Sequence, residues 1–366
     1  MSLRILHIYQ KFSFTPSGGV EQAIKQYSFA LHKYYQCQNT VLYLDSHPSV
    51  KKKDYLKAIS TKQIGKIASC AIPNLSFFRK FKALQKDHEI ILFHYPFPIQ
   101  DLILVFGLIN KPYYIYYHSD IIKQKRLLKI YKPFRYLFFK FAKHIITSSE
   151  NYLNSSIFLK KYKDKSTAIP LILNKEFLKV KKKKILFKFF LFIGQHRHYK
   201  NIENIIKAFQ QLPNHKLIII GIKKRQIINI EIPSNILLID HVIDEEKYQY
   251  IQQCEAILLP STNRAEAFGY TLLEGLLFKR PLISSQIKSG TTFINKHLKT
   301  GYVIKKYPTD KEIVKSIKFI NNNNRLFKNS KNYDEQISHF RPEIISQKII
   351  KLFKHRNISR ETIFTK

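Results

Sequence analysis

The stretch Leu258–Leu277, LLPSTNRAEAFGYTLLEGLL, gathers the residue types best suited to chemistry. Glu266 and Glu274 stand eight positions apart, with Phe268, Gly269 and Tyr270 between them. A buried-strand pattern, AILLP, leads into the segment and a helical pattern, YTLLEGLLF, closes it. The first glutamate is therefore expected on a loop at the carboxyl end of a strand, and the second in the first turns of the following helix. In an open α/β sheet, ligands bind at that edge. A helix amino terminus there offers unpaired N–H groups and a positive dipole end to a phosphate. Gly269 lets the backbone approach closely, because it carries no Cβ. One segment could thus hold a diphosphate on its amides and hydroxyls on two carboxylates, the two halves of a nucleotide sugar. Two glutamates at helical spacing also occur on ordinary solvated faces, so the assignment depends on what surrounds them.

The elements that must position this segment alternate. The chain opens with a strand pattern (ILHIYQ), a loop bearing Gly18 and Gly19, a helical run from Val20 to Tyr35 and a second strand, NTVLYLD. Apolar runs follow at 89–94, 113–118 and 144–149, and TAIPLI ends the series at Ile172, with helical patterns between them. Such alternation predicts a doubly wound parallel sheet. The pattern dissolves into a charge run over 173–188 and then restarts with FFLFIG, NIENIIKAFQQL, KLIIIG, NILLID, DEEKYQYIQQC, AILLP and PLISS. The expected organisation is a first α/β domain over 1–177, a linker at 178–188, a second α/β domain over 189–341 and a terminal helix over 342–366.

Composition narrows the class. The net charge of +38 is divided evenly between the two halves of the chain, so it is not a tail. A field of that sign favours polyanions, either anionic lipid or nucleic acid. Lysine and arginine interleave with apolar residues over 51–86, including Tyr55, Leu56, Phe77, Phe78 and Phe81, and this segment is the expected membrane contact. The basic, aromatic-rich run 121–145 is a second amphipathic segment, with an ordinary core-facing helix as the competing reading. Cys37, Cys70 and Cys254 are too scattered for a disulfide framework or a metal cluster, which favours a reducing compartment. The amino terminus reads as a strand rather than a signal peptide. No run of 18 apolar residues exists to cross a membrane. The expected location is cytoplasmic, at the inner face of the plasma membrane.

Further motifs fall at the expected strand ends. Gly18-Gly19-Val20-Glu21 forms a turn at a helix amino terminus. His94 begins a rigid segment containing Pro96 and Pro98. His118 ends the strand YYIYYH, where it can reach a sugar hydroxyl, and Asp120 is placed to cap a helix starting at Ile121. After Gly194 comes the basic loop QHRHYKN, with Arg197 and Lys200. A compact ammonium and a planar guanidinium both suit a diphosphate. No D-x-D is present to hold a divalent cation.

In this order, the motifs resemble those of the retaining glycosyltransferase family 4, the glycosyl transferases group 1, and cover nearly the whole chain from Gly18 to Gly301. The likeness leans toward its bacterial surface-polysaccharide mannosyl- and rhamnosyltransferase branch. It implies the GT-B fold, two Rossmann-like domains facing a cleft. It also implies transfer of a hexose-type sugar, with retention, from a GDP- or UDP-linked donor to a lipid-linked saccharide. In that comparison Lys200 and Arg197 neutralise the departing diphosphate, Glu266 and His118 position the donor sugar, and Glu274 holds the ribose. Gly18, Gly19, Gly194, Phe268, Gly269 and Tyr270 line the donor. No metal or other cofactor is expected, and no specific nucleic acid. Two departures stand out. The family arginine usually lies one or two positions after the glycine, where this chain has Gln195 and His196, with Arg197 one position later. Gln286 and Lys288 stand where the branch commonly has glutamate and glycine. The competing readings are a non-enzymatic polyanion-binding protein and a sugar-nucleotide hydrolase or phosphorylase on the same fold.

Overall fold

The computed structural model describes residues 2–15, 18–67, 70–121, 125–180 and 184–358, without side chains at 125–130 and 355–358. It divides into two compact units, Met1–Asn174 joined by the segment from Arg341, and Lys175–Phe340.

The first unit is built on strands β1 Arg4–Ile8, β2 Gln38–Asp45, β3 Val50–Lys53, β4 Leu56–Ile67, β5 Cys70–Pro73, β6 Ile90–Tyr95, β7 Tyr113–Tyr117, β8 His144–Thr147 and β9 Ser166–Ala168. Their order is β3-β4-β2-β1-β6-β7-β8-β9, with β5 on β4. All pairings are parallel except those of β3 and β5 with β4. Strands β6, β7 and β8 are buried along their whole length, as expected for central parallel strands covered on both faces. From β1 the chain steps outward to β2 and later returns to β6 on β1's other side, so the topology switches between β1 and β6. The helix Gly19–Tyr35 covers the sheet, and the helix Pro342–Ile358 packs beside it. Phe353 from that last helix is fully buried with its ring 4.8 Å from that of Tyr114. Asn174 closes the unit through hydrogen bonds of 2.7–2.9 Å to Gln26.

The second unit repeats the plan with β10 Phe190–Ile193, β11 Leu217–Ile220, β12 Ile236–Ile239, β13 Ile257–Leu259, β14 Leu282–Ser285 and β15 Gly301–Ile304. The order β12-β11-β10-β13-β14-β15 is parallel throughout, with its switch between β10 and β13. Short apolar runs such as FLFI and LIII form its buried centre.

Some expectations change. Within the segment expected to meet a membrane, residues 50–53, 56–67 and 70–73 form the strands β3, β4 and β5, with Ala58, Ser60 and their neighbours paired in parallel with β2. Tyr55, Leu56, Phe77 and Phe81 are core side chains and are not free to insert into lipid. Ile121 is not helical, so no helix begins there; the Asp120 carboxylate accepts from Tyr117 Oη at 2.6 Å and Ser156 Oγ at 2.9 Å, and residues 122–124 lie outside the described ones. Parts of the run 121–145, of the linker and of the C-terminal tail lie outside the described residues.

Candidate active site

At the switch point of the second unit, the loop after β10 meets the loop after β13. Gly194 adopts φ +154°, and a Cβ there would sit 2.8 Å from Lys200 Nζ, so the absent side chain leaves room for the lysine. A short turn, His198–Lys200, and the left-handed Asn201 lead into the helix Ile202–Gln210. The two loops are tied by Thr262 N donating to Tyr199 O at 2.8 Å and by Thr271 Oγ1 donating to Ile193 O at 3.3 Å.

Lys200 and Glu266 are brought together, Nζ to Oε2 at 3.2 Å, with side chains 14% and 12% exposed. The contact lacks hydrogen-bond alignment and leaves Oε2 with unused acceptor capacity. Gly269 caps the helix Tyr270–Leu277 at φ +90°, a conformation that glycine adopts without strain. The first N–H groups of that helix have no intrahelical acceptor. Phe268 turns into the core against Tyr270 and Phe340, so only its backbone is available to a ligand.

Glu274 is buried and held by a residue absent from the sequence reading. Lys247 Nζ lies 2.8 Å from Glu274 Oε1 and 3.1 Å from Asp244 Oδ1. Although burial works against the charged form, the neighbouring carboxylates raise the Lys247 ammonium above the usual lysine range. A signal was present. Asp244, Lys247, Tyr248 and Ile251 share one helical stripe, and Tyr248 and Ile251 are buried. Arg197 is exposed and its guanidinium donates to Gln195 Oε1 at 3.1 Å; its backbone carbonyl accepts from Lys200 N at 2.8 Å, and among the described residues no bond joins its side chain to the Lys200 or Glu266 side chains. Lys288 has φ +53°, the left-handed region for which glycine is best suited.

In the first unit, Gly18 caps the helix Gly19–Tyr35, and its Cβ position would lie 3.1 Å from Glu21 Oε1. Glu21 is buried beside Lys11 at 3.5 Å. His118 follows β7 and is buried, with its backbone N–H on Tyr95 O at 2.9 Å. Its Nε2 meets His94 Nδ1 at 2.9 Å, and His94 Nε2 meets His7 Nδ1 at 3.0 Å. His94 is therefore more than the scaffolding its proline-rich context predicts. Burial lowers the His7 pKa to about 4 and that of His118 to about 3, and pushes His94 down as well.

Two Rossmann-like units, one with a lysine- and glutamate-lined switch point at a helix amino terminus, define a nucleotide-sugar-dependent transferase of the GT-B type. The profile of the glycosyl transferases group 1 matches residues 174–338. O-antigen chain mannosyltransferase C of Escherichia coli is 33% identical over 353 residues, 92% of this chain and 94% of its own. D-rhamnosyltransferase WbpZ of Pseudomonas aeruginosa is 32% identical over 320 residues, 82% of each. Sucrose-phosphate synthase of Thermosynechococcus elongatus superposes with a TM-score of 0.78 at 16% identity, over 98% of this chain and all of that one, which shows the shared fold. The chain belongs to the glycosyl transferases group 1 family and is a hexosyltransferase. That membership excludes a purely non-enzymatic polyanion binder.

The buried histidines make stability pH-dependent. Their folded pKa values lie below the unfolded value of about 6.5. Below that pH the unfolded chain binds more protons, so stability is full above it and falls as pH drops toward the folded values. Asp101, buried and pushed well above the usual carboxylate range, acts with the opposite sign. The histidine share is therefore read by comparison. Denaturant unfolding between pH 6.5 and 5 should lose about 1.4 kcal/mol per pH unit of slope in His7→Gln relative to the native chain. An unchanged slope would show that His7 is protonated in the folded state.

Proposed function

We propose that this protein transfers a hexose from a nucleotide sugar to a lipid-linked saccharide during surface-polysaccharide assembly, with retention at the anomeric carbon. The observation that carries the reading is the Lys200–Glu266 pair beside the amide-rich start of the Tyr270 helix. The O-antigen mannosyl and D-rhamnosyl transfers named for the two relatives support the pathway and a mannose-type donor, which the reading takes as GDP- or UDP-linked. Donor binding exchanges Glu266 for the diphosphate as the partner of Lys200, and frees the Glu266 carboxylate to accept from sugar hydroxyls. Glu274, held in place by Lys247, accepts from the two ribose hydroxyls. Arg197 swings from Gln195 to reach the phosphates, and His118 contacts the sugar. The acceptor oxygen bonds to the anomeric carbon as the bond to the diphosphate oxygen breaks, on the same face. The acceptor proton passes to the departing phosphate, and no protein nucleophile takes part. The work is electrostatic stabilisation and positioning.

Lys200→Ala should lower kcat most, by about 2–4 kcal/mol of barrier, while Glu274→Gln should chiefly weaken binding of GDP-mannose or UDP-glucose. Nucleotide release in a donor screen with crude lipid-linked acceptors measures both. Native turnover in Lys200→Ala would remove its assignment to the leaving group. Because a lysine occupies the leaving-group position, turnover should also survive EDTA. Complete loss, restored by manganese or magnesium, would move that role to a cation.

The same reading includes attachment to an anionic membrane. No helix among the described residues is long and apolar enough to cross one. The proposed contact keeps the exposed lysines at 51–53, 57, 62 and 66, with Arg79, Lys80 and Lys82. The apolar share shifts to the exposed Val50, Ile64, Ile67, Leu75 and Phe106 in place of the core aromatics. Each basic residue at such a surface contributes about 1 kcal/mol. Vesicle co-sedimentation should require anionic lipid, fall steeply with salt and weaken when Lys51, Lys52 and Lys53 become glutamine. Equal sedimentation with neutral vesicles would refute the electrostatic contact.

A further inference from the structure

Four side chains on adjacent strands of the first unit form one diagonal line across the sheet. Asn39 lies on β2, two residues before Val41, the partner of His7 on β1. His7 is partnered by Leu92 on β6, and His94 lies two residues beyond it. His94 is partnered by Tyr116 on β7, and His118 again lies two residues beyond. A step of two residues keeps to one face of a sheet. Each crossing therefore preserves the face and climbs toward the carboxyl edge. Diagonal neighbours of this kind lie about 7–8 Å apart, within reach of aromatic side chains. The rings are roughly parallel, His7 on His94 at 5.3 Å and His94 on His118 at 5.2 Å between centroids.

The line has a polarity set at its inner end. Asn39 Nδ2 donates to the carbonyls of Ser28, Cys37 and Tyr55 at 3.0–3.3 Å, which turns Oδ1 toward His7 Nε2 at 3.4 Å. An amide oxygen only accepts, so His7 Nε2 carries the proton. A neutral imidazole then has a bare Nδ1, which must accept, so His94 Nε2 carries the next proton at 3.0 Å. By the same step His118 Nε2 donates to His94 Nδ1 at 2.9 Å. His118 Nδ1 is left without a proton, and it makes no hydrogen bond to any described residue. The opposite polarity would set two lone pairs against each other at Asn39 and require its amide to give up three acceptors. The in-line contacts also distinguish the cluster from a metal site, whose ligands converge on one point.

We propose that Asn39, His7 and His94 are positioning residues that fix His118 in the tautomer with a bare Nδ1, so that His118 binds the transferred sugar by accepting a hydrogen bond from one of its hydroxyls. The proposal rests on the reading that His118 touches the donor sugar. Neutrality is maintained by burial, which depresses all three imidazoles. The sugar is thus met by a neutral acceptor at ordinary pH, and a cationic donor is not available there.

The test uses the full chain labelled with 15N-histidine, with the three rings assigned by His7→Gln, His94→Gln and His118→Gln. Long-range proton–nitrogen spectra distinguish bare from protonated ring nitrogens. The expected result is the Nε2–H form for all three, unchanged from pH 8 to 5.5. In His94→Phe, His118 should become a mixture of tautomers, and KM for GDP-mannose should rise about tenfold, the scale of one lost hydrogen bond. Affinity for GDP alone should stay within about twofold, because GDP lacks the sugar hydroxyl that His118 is proposed to bind. His94→Gln, whose amide can accept from His118 and donate to His7, should restore much of the loss. A protonated His118 Nδ1 in the native chain would overturn the proposal, even if His94→Phe fails to fold. Native tautomers and KM in a folded His94→Phe would overturn it too. If the tautomers are as expected but His118→Ala keeps native kinetics, the contact between His118 and the sugar fails and the line is structural only.

Discussion

A carboxylate removed from water must find a cation or lose its charge, and this constraint shapes the second unit. Glu266 and Glu274 both sit where solvent is scarce, and each has its own lysine, Lys200 and Lys247. Isolated buried charges cost several kcal/mol, whereas paired ones approach balance. The rest of the edge follows from keeping these pairs in register. Gly194 leaves space for Lys200, Gly269 turns the chain into the helix that carries Glu274, Thr262 ties the loop after β13 to Tyr199, and Thr271 ties that helix to the end of β10. The pairs differ in kind. Lys247–Glu274 is aligned and braced by Asp244, which suits a residue that only has to hold its charge and orientation. Lys200–Glu266 is longer and unaligned, which suits partners that separate in the exchange proposed above.

The first unit handles buried polarity differently. The buried polar side chains in line across its central strands are uncharged. Neutral imidazoles satisfy one another there, His118 donating to His94 and His94 to His7. Such a line adds no net charge to the interior, and the desolvation that would defeat an ion pair instead keeps it neutral. The two sheets share a winding plan but stabilise their carboxyl edges by different chemistry.

Much of this was legible in the sequence because parallel central strands are apolar along their length. FLFI, LIII and YYIYY announce themselves without help from neighbours. Glu266, Glu274 and Lys200 were legible because chemistry at a sheet's carboxyl edge follows a strand within a few residues. What was missed depended on contacts between distant segments. Lys247 sits in a run, DEEKYQ, that reads as solvated surface until Glu274 is seen beside it. His7 and His94 are 87 residues apart, and only the strand order makes them neighbours. The meander at 50–73 was obscured by lysines at positions that usually weaken a strand assignment.

Those lysines have a consequence of their own. β3 is the last strand on its side of the sheet, and Val50, Lys51, Lys52 and Lys53 are all exposed. An outermost strand offers unpaired backbone groups to any passing strand and invites the sheet to grow into a neighbouring molecule. Three successive ammonium groups make that edge repellent to another copy of itself. A chain with so much apolar sheet can therefore stay dispersed at the concentrations a biosynthetic enzyme reaches, whatever surface it also visits.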